Sequence, residues 1–287
     1  MKITQDTVAL VTGASRGIGV HIVAVLAQRG CKMVLAARSK EGLEQTAERA
    51  RSLGAEVLVV PTDLANQESL IALADLAQQH FGRVDLLVNN AGVEGSYFFH
   101  EAPLDRLEWT TRVNVTAPLA LSRLVLPGMI ERNRGHILNV ASLAGLGPTA
   151  FGETYGASKH ALIGFTSALR ASLQTQGSAV SASAVCPGFV SDVGMFADKR
   201  AQHAEVRPPA FLGTSSPAKV AAAVLRATEK DLPNVIVNPG AIRITLAVAL
   251  LFPRLGEWLG RVLGVHRAGY EAALGEKRRL LEEKQTP

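Results

Sequence analysis

The sequence contains few aromatic residues and almost no cysteine. Only 5% of its 287 residues are aromatic, whereas 47% are hydrophobic, so aliphatic side chains must form most of any core. An aliphatic core suits a buried parallel sheet that is covered by helices on both faces. Cysteine occurs only as Cys31 and Cys186. This scarcity excludes a disulfide-rich scaffold and predicts two buried thiols in a reducing compartment.

The chain also has no segment that predicts export or membrane insertion. Residues 1–6 are polar and show no signal-peptide pattern. The longest apolar run near the C-terminus, residues 244–252, is shorter than the ~20 residues of a spanning helix. The formal net charge of +5 is spread along the chain without an aromatic-interleaved basic patch, which argues against a nucleic-acid partner. We expect a cytoplasmic protein, and the sequence suggests no metal site.

Strand and helix patterns alternate along the first 240 residues. Short apolar runs predict strands at residues 8–11, 33–37, 57–60, 85–88, 136–140, 180–185 and 235–237. Helical periodicity predicts helices at residues 17–28, 41–53, 68–81 (ended by Gly82), 104–130, 153–174 and 217–229. The alternation predicts an α/β fold with a single doubly wound parallel sheet.

Two segments depart from this alternation. Residues 192–216 have weak periodicity and contain Pro208-Pro209, which indicates a mobile insertion where a lid over a pocket could lie. No linker divides the chain, so we predict one domain: residues 1–240 form its cofactor-binding and catalytic part, and residues 241–287 form a C-terminal helical extension.

The extension is richer in apolar residues than a solvated tail requires. The apolar side chains that recur at helical spacing are Phe252, Leu255, Trp258, Leu259 and Leu263. Arginines lie among them at positions 243, 254, 261 and 267. One interpretation is a helix that covers the pocket or a subunit interface. The other is a helix on a membrane surface, with its arginines at the headgroups.

A glycine-rich turn follows the first strand and opens the first helix. Its glycines, Gly13, Gly17 and Gly19, have the spacing G-x-x-x-G-x-G instead of the more common G-x-G-x-x-G. Glycine lets the backbone approach a pyrophosphate closely, and the helix N-terminus supplies amide donors. The turn therefore predicts a dinucleotide site.

Tyr155 and Lys159 are four residues apart in a predicted helix, so they share one helix face. A cation beside a tyrosine favours the phenolate and lowers the tyrosine pKa from its usual value of about 10. Such a tyrosine can exchange a proton with an alcohol or carbonyl oxygen near neutral pH. Together with the dinucleotide site, this pair predicts hydride transfer with Tyr155 as the proton carrier.

The motifs, taken in order, resemble those of the short-chain dehydrogenase/reductase family. They are Thr12-Gly13-(x)3-Gly17-Ile18-Gly19, Asp63-Leu64, Asn89-Asn90-Ala91-Gly92, Asn114, Ser142, Tyr155-(x)3-Lys159 and Pro187-Gly188. The resemblance covers residues 8–188 and, more loosely, extends to residue 238. It implies a Rossmann-like fold and a homodimer or homotetramer, with helices 104–130 and 153–174 at the interface.

The resemblance also implies a role for each catalytic residue. Tyr155 would be the general acid in reduction and the general base in oxidation, while Ser142 would polarise the substrate oxygen. Lys159 would lower the tyrosine pKa and bind the nicotinamide ribose. Asn114 would hold a water that relays protons between the lysine and solvent.

Asp63 would hydrogen-bond the adenine, and Asn89 would position the cofactor and brace the sheet. The residues implied in cofactor binding are Gly13, Ser15, Arg16, Gly17, Ile18, Gly19, Arg38, Asp63, Leu64, Asn89, Ala91, Gly92, Tyr155, Lys159, Pro187, Gly188 and Val190. Each catalytic residue also has a structural interpretation: Ser142 as a turn or cap, Lys159 as a solvated residue, and Asn114 as a locally satisfied amide.

The end of the second strand favours NADP(H) over NAD(H). A carboxylate at this position usually accepts hydrogen bonds from the ribose 2′-OH of NAD. Here the residue is Ala37, which cannot accept them, and Arg38 follows it. Arg16 lies in the glycine-rich turn, and guanidinium groups match phosphate geometry. One departure from the family concerns Asp192, which stands where members commonly carry a threonine that contacts the nicotinamide.

The resemblance places the substrate pocket above the C-terminal edge of the sheet. The implied lining residues are Val93, Glu94, residues 143–146, Phe151, Phe189, Met195, Phe196 and Phe211. Most of them are apolar, which indicates a lipophilic substrate, although such residues in a lid also pack simply against the protein body.

We therefore predict an NADP(H)-dependent enzyme that interconverts a carbonyl and an alcohol, with a small-molecule substrate and reduction favoured. The alternative is a non-catalytic NADP(H)-binding scaffold or a redox-sensing regulator. Degenerate family members typically lose the tyrosine or the lysine. This chain keeps both residues.

Overall fold

A seven-stranded parallel sheet forms the centre of the protein. The computed structural model describes residues 1–202, 206–209, 212–240 and 242–285, with side chains described up to residue 282. The strands are Val8–Thr12 (β1), Lys32–Ala37 (β2), Val57–Pro61 (β3), Leu86–Asn89 (β4), His136–Val140 (β5), Ser181–Pro187 (β6) and Asn234–Val237 (β7). Their order is β3-β2-β1-β4-β5-β6-β7, which confirms the predicted doubly wound fold.

Helices cover both faces of the sheet. They are Ile18–Ala27 (α1), Lys40–Ser52 (α2), Gln67–Phe81 (α3), Leu104–Thr111 (α4), Ala117–Glu131 (α5), Glu153–Thr175 (α6), Met195–Gln202 (α7), Pro217–Glu229 (α8), Ile242–Leu251 (α9), Pro253–Val262 (α10) and Arg267–Gln285 (α11). Residues of α1, α2 and α8 join one buried apolar cluster. Residues of α3, α5 and α6 join a second cluster on the opposite face.

Local sequence signals account for several helix ends. The side chains of Ser39, Asn66 and Ser216 cap the first turns of α2, α3 and α8. Gly82 ends α3 with φ of 69°, as predicted, because glycine adopts the left-handed conformation at low cost. Cys31 and Cys186 are both free and buried, which confirms the prediction of two buried thiols.

Two segments differ from the sequence prediction. The predicted helix 104–130 contains a π-helical turn, Arg112–Thr116, between α4 and α5. The insertion at residues 192–216 contains a regular helix, α7. In the C-terminal extension, α9 ends at Leu251 and α10 begins at Pro253. Proline suits the first turn of a helix, where its missing N–H has no helical partner.

The segment Leu104–Glu131 is long and apolar enough, by length and composition, to cross a membrane. The helices in this segment pack against the body, with Leu121 and Met129 fully buried beside the sheet. A core helix of a globular domain has the same length and composition, so this feature does not indicate a membrane span.

The order of the strands fixes the position of the site. β1 and β4 are adjacent, and the chain runs outward from them in opposite directions. Ligands of such sheets bind where the order reverses, at the carboxyl ends of the strands. The glycine-rich turn follows β1 at this edge, and the Asn89-Asn90-Ala91-Gly92 segment begins at the end of β4.

Candidate active site

The glycine-rich turn is packed tightly against the end of β4. Gly13 has φ of +65°, and a Cβ there would lie 2.8 Å from the Ala91 Cα. A Cβ on Gly19 would lie 2.0 Å from the Gly13 carbonyl oxygen. Only glycine fits at these two positions, so the turn keeps its backbone amides open at the N-terminus of α1.

Asn90 holds this turn in place. Its Nδ2 donates to the carbonyl oxygens of Thr12 and Gly13, at 3.0 and 3.1 Å. The Thr12 hydroxyl in turn accepts from the Asn90 and Ala91 amides, both at 3.1 Å. In the sequence, Asn90 is recognisable only as one residue of the Asn89-Asn90-Ala91-Gly92 motif. Its clamping role depends on the contact between β1 and β4, which no local pattern reveals.

Asn89 braces the sheet, as the resemblance implied. Its Nδ2 donates to Asn139 Oδ1 at 2.8 Å, and these residues are register partners in β4 and β5. Asn139 then donates to the Thr166 hydroxyl of α6 at 2.8 Å. The Asn89 Oδ1 is buried and has no hydrogen-bond partner among the described residues. It is thus an acceptor without a described partner at the end of β4.

Two arginines lie at the ends of neighbouring strands, Arg16 in the glycine-rich turn after β1 and Arg38 directly after β2. Arg38 follows β2, and its guanidinium lies 5.6 Å from the centre of the Trp109 ring. Arg16 is 73% exposed and pairs with Asp198 of α7 at 2.5 Å. On the other side, Asp63 is exposed, and its Oδ1 accepts from the Ala65 amide at 3.0 Å, whereas Leu64 is buried.

Tyr155 and Lys159 lie in the first turns of α6, with Ser142 beside them at the end of β5. Lys159 is 2% exposed, and its Nζ donates to the Val140 carbonyl oxygen at 3.0 Å. The same Nζ lies 5.6 Å from the centre of the Tyr155 ring. The Ser142 hydroxyl hydrogen-bonds with Tyr155 and also accepts from the Ala144 amide at 3.1 Å. Ser142 thus caps a turn and faces the tyrosine.

The expected lowering of the Tyr155 pKa is wrong for this structure. Burial raises the Tyr155 pKa, the negative charge of Glu94 raises it further, and the hydrogen bond with Ser142 lowers it by less. Burial lowers the pKa of Lys159 to about 8. The lysine ammonium is directed at the Val140 carbonyl, so its charge does not offset the desolvation of the phenol. Tyr155 is therefore a neutral phenol in this structure.

Asn114 lies in the π-helical turn between α4 and α5. Its side-chain amide exchanges two 2.8 Å hydrogen bonds with the Val93 backbone and donates to the Ser158 hydroxyl at 3.0 Å. The local interpretation of this residue is therefore accurate: its amide is satisfied by its neighbours. It also ties the segment after β4 to α6, and π-helical turns occur often at functional sites.

A cavity of about 340 Å³ lies beside Tyr155 and Ser142. Its wall is mostly apolar and includes Leu143, Phe189, Phe196, Leu246, Leu259 and Leu263. Helices α9 and α10 form the roof of the cavity, which confirms the interpretation of the extension as a pocket cover. The volume lies in the range of small-molecule sites.

The predicted lining residues are partly correct. Glu94, Leu143, Ala144, Phe189, Met195 and Phe196 line the cavity. Val93, Gly145, Leu146 and Phe151 do not, and Phe211 lies outside the described residues. Phe151 instead packs edge-to-face against Phe98 and Tyr270, and that last contact involves α11, whose packing the sequence analysis did not predict.

The glycine-rich turn and the Asn89-Asn90-Ala91-Gly92 segment together form a concave site that we call the cradle. The segment after β6 closes over this cradle. The segment passes through Pro187 and Gly188 at the end of β6, and Val190 then forms a bridge with Ser215. Asp192 has φ of 67°, and its Oδ2 accepts from the Ser191 hydroxyl at 2.8 Å. The neighbouring Gly194 lies over the glycine-rich turn, because a Cβ on Gly17 would be 3.4 Å from the Gly194 Cα.

A polar pair fastens α7 over the cavity. Lys199 lies 3.0 Å from both the Glu94 carboxylate and the Ser96 hydroxyl. Glu94 and Lys199 both line the cavity. The sequence analysis missed this pair, because the two residues are more than a hundred positions apart and lie in irregular segments.

The cradle fits a dinucleotide. Glycine is required where the backbone is closest, α1 begins at Ile18 without a side-chain cap on its first amides, and Arg16 and Arg38 could contact a phosphate from the turn and from the end of β2. A Cβ on Gly92 would lie 3.3 Å from Lys159 Nζ, so this glycine keeps space beside the lysine.

Comparison with known proteins agrees with this geometry. Residues 7–204 match the family model described as short chain dehydrogenase. The chain is 40% identical to the ketoacyl reductase HetN of Nostoc sp. over 269 residues, with 91% of each chain covered.

Solved structures show the same likeness. A short-chain dehydrogenase/reductase from Burkholderia phymatum in complex with NAD is 32% identical, with a TM-score of 0.79 over 89% of this chain and 96% of that one. A variant of actinorhodin polyketide ketoreductase with NADPH is 31% identical, with a TM-score of 0.72 over 82% and 97% of the two chains. The chain therefore belongs to the short-chain dehydrogenase/reductase family of oxidoreductases.

Proposed function

We propose that the protein is an NADP(H)-dependent reductase of a lipophilic ketone, with a ketoacyl group as its substrate class. The observation that carries this proposal is the position of Tyr155 and Ser142, side by side in the wall of an apolar cavity. The names of two similar proteins, a ketoacyl reductase and a polyketide ketoreductase, support the substrate class.

Arg16 and Arg38 would select the phosphorylated cofactor. The residue at the end of β2 is Ala37, so no carboxylate there repels a 2′-phosphate or accepts from a ribose hydroxyl. Two guanidinium groups at this end instead favour the phosphate. Similar structures contain either NAD or NADPH, so the choice depends on these side chains. When bound, the nicotinamide supplies the hydride.

We assign the remaining cofactor contacts to residues around the glycine-rich turn and the ends of the neighbouring strands. The amides of the glycine-rich turn, around Ser15 and Gly17, would face the pyrophosphate, and Asp63 would face the adenine. Asn89 has a free acceptor, Oδ1, at the edge of the cradle. The segment from Pro187 to Val190 would cover the nicotinamide end.

Tyr155 and Ser142 would handle the oxygen of the substrate. In reduction, the Ser142 hydroxyl donates to the carbonyl oxygen and stabilises the charge that develops on it. Tyr155 then transfers its proton to that oxygen, which completes the alcohol. Tyr155 is protonated at neutral pH, so it has a proton to give in this step.

Lys159 and Asn114 would support the proton transfer. The Lys159 Nζ lies 5.6 Å from the centre of the Tyr155 ring and donates to the Val140 carbonyl oxygen, so we assign Lys159 to relaying the proton and not to lowering the Tyr155 pKa. A proton from solvent must then reach Tyr155. We assign this path to Lys159 and to a water beside Asn114, because the Asn114 amide connects the segment after β4 with α6.

The test is the consumption of NADPH and NADH by the purified protein. The substrates are a series of 3-ketoacyl thioesters of increasing chain length and a polar carbonyl, glyceraldehyde, as a control. We expect kcat/KM to rise with chain length, because each buried methylene contributes about 0.8 kcal/mol, and to be higher with NADPH. Tyr155→Phe should remove turnover while NADPH binding persists.

Tyr97→Phe is the matched control, since Tyr97 is a partly buried tyrosine away from Ser142 and Lys159. This variant should keep its activity. NADPH binding without turnover of any ketoacyl thioester would overturn the proposal and return the protein to the class of cofactor-binding regulators.

A further inference from the structure

The outer face of α9 and α10 is apolar. The two helices form a hairpin, residues 242–262, which we call the roof hairpin. Large apolar side chains on its outer side are exposed by 43–81%. They are Ile244, Leu250, Leu251, Phe252, Leu255, Trp258 and Val262. Their number and continuity exceed what scattered surface residues of a monomer show.

This face is distinct from the one that lines the cavity. Successive residues of a helix point about 100° apart, which places Gly256, Leu259 and Gly260 on one side of α10. These three line the cavity. Leu255, Trp258 and Val262 lie on an adjoining side and are exposed. The substrate pocket therefore explains one apolar face of α10 and leaves the other without a partner.

The roof hairpin is a closely packed unit. A Cβ on Gly256 would lie 2.8 Å from the Ala249 Cβ, so the two helices touch where one residue has no side chain. A Cβ on Gly147 would lie 3.5 Å from the Leu246 Cδ2, which places α9 against the body. The outer face is thus preformed.

The charges beside this face are almost all positive. Arg243, Arg254 and Arg261 are exposed, and Glu257 is the only acidic residue between positions 242 and 262. None of these arginines forms an ion pair with another described side chain. On α10, Arg254 and Arg261 lie about 100° or less from Trp258, along the border of the apolar face.

We propose that the roof hairpin docks on the surface of a lipid bilayer that contains anionic lipids. Its apolar side chains, with a tryptophan among them, would enter the headgroup region, and its arginines would contact the lipid phosphates. A second copy of the chain fits less well. A two-fold contact brings the same patch of both copies together, so six arginines would meet with only two carboxylates to balance them.

Docking in this orientation places the cavity directly beneath the bilayer surface, because the same helices form its wall. A lipophilic substrate could then pass between the bilayer and the pocket with little exposure to water. This consequence rests on the proposed function, whereas docking itself does not.

The test is flotation of the full-length protein with vesicles of phosphatidylcholine and with vesicles of phosphatidylcholine and phosphatidylglycerol in equal parts. We expect flotation with the mixed vesicles and a marked loss at high salt. Leu255→Gln/Trp258→Gln should reduce partitioning at least tenfold. Arg243→Glu/Arg254→Glu/Arg261→Glu should reduce it about a hundredfold or more, since each basic residue near an anionic surface contributes measurably.

Two control variants test whether the effects are specific to the outer face of the roof hairpin or follow from any loss of exposed apolar or basic side chains. Ile71→Gln/Leu76→Gln removes two apolar side chains of α3 that are each 42% exposed, close to the 43% of Leu255. Arg49→Glu/Arg123→Glu/Arg226→Glu changes the net charge equally on other exposed surfaces. Both controls should float like the unaltered protein. NADPH binding by every variant checks that the fold is intact.

Recovery of the unaltered protein in the unbound fraction with both vesicle types would overturn the proposal. So would a drop in sedimentation mass of Leu255→Gln/Trp258→Gln in the absence of vesicles, since that result would show a second copy on this face. A protein that floats but reduces no ketoacyl thioester keeps the docking proposal and loses the reductase proposal. An enzyme that reduces ketoacyl thioesters but does not float keeps the reductase proposal and loses the docking proposal.

Discussion

Asp198 of α7 and Arg16 of the glycine-rich turn form an ion pair across the mouth of the cradle, with 2.5 Å between Oδ2 and Nη1. Arg16 is one of the two arginines that we assign to the cofactor 2′-phosphate. The Asp198 carboxylate and that phosphate would therefore compete for the Arg16 guanidinium. Both side chains are well exposed, so the pair contributes at most about 1 kcal/mol.

We predict that Asp198→Asn tightens NADPH binding, because Arg16 would no longer have to break its ion pair with Asp198 before it binds the 2′-phosphate. The dissociation constant for NADPH should fall by up to about fivefold, which corresponds to about 1 kcal/mol. NADH binding should not change. Fluorescence titration of both nucleotides measures the effect. Glu229→Gln, which breaks a similar exposed pair with Arg29 far from the cradle, is the control; an equal gain for NADH would contradict the competition.

Ala37→Asp/Arg38→Leu should reverse the cofactor preference. The new carboxylate repels a 2′-phosphate and accepts from the ribose hydroxyl of NADH, and one phosphate partner is lost. We expect the ratio of kcat/KM for NADPH to that for NADH to fall by about ten- to a hundredfold. Arg106→Leu is a matched control, because Arg106 also lies over the Trp109 ring, at 5.7 Å. An unchanged ratio in the double variant would exclude Arg38 from phosphate recognition.

Ser142→Ala should slow the chemical step and leave cofactor binding intact. Removing one donor from a developing oxyanion lowers kcat by about a hundredfold or more. The Tyr155 pKa should also rise further, since the hydrogen bond with Ser142 lowers it. Single-turnover rates and NADPH titration separate the two effects. Ser142→Thr, which restores a hydroxyl, should recover part of the rate; a loss of NADPH affinity in Ser142→Ala would point to a structural role instead.

His136 should make the fold sensitive to acid. It lies in the centre of the sheet, 1% exposed, with Nε2 2.9 Å from the Ser183 hydroxyl. Burial lowers its pKa from 6.5 to about 3. Between these two values the unfolded chain binds a proton that the folded chain does not, so the free energy of unfolding falls as pH falls from 6.5 towards 3.

The variant His136→Gln should remove much of this pH dependence, which is on the order of a few kcal/mol across the window. Urea unfolding at a series of pH values from 7 down to the lowest at which the protein stays folded measures the slope. His80→Gln, at an exposed position on α3, is the control and should keep the wild-type slope. An equally steep slope in His136→Gln would assign the acid sensitivity to other groups.

The sequence predicted the sheet well, because each strand is a short apolar run and the alternation with helices leaves few topologies. It predicted the pairing of Tyr155 with Lys159 for a similar reason, since helical spacing alone places them together. The direction of the Tyr155 pKa shift was wrong. That shift depends on the burial of Tyr155 in the folded chain and on the direction of the Lys159 ammonium, and the spacing of two residues predicts neither.

The sequence also did not predict the contacts between segments that are far apart in the chain. The clamp from Asn90 to the glycine-rich turn and the pair of Glu94 with Lys199 each join segments that a linear pattern treats separately. α7 was missed because its eight residues carry no apolar stripe, and none of them is fully buried. The outer face of α10 was visible in the sequence, but only the structure distinguishes it from the face that lines the pocket.

The roof hairpin follows β7, the last strand, so every residue assigned to hydride and proton transfer precedes it in the chain. Part of the cavity wall is therefore encoded after all of these reacting groups, whereas the rest of the wall, such as Leu143 and Phe189, lies in the same stretch as they do. We expect that replacing the hairpin with the corresponding segment of a relative would change the preference for chain length and leave the reacting groups as they are.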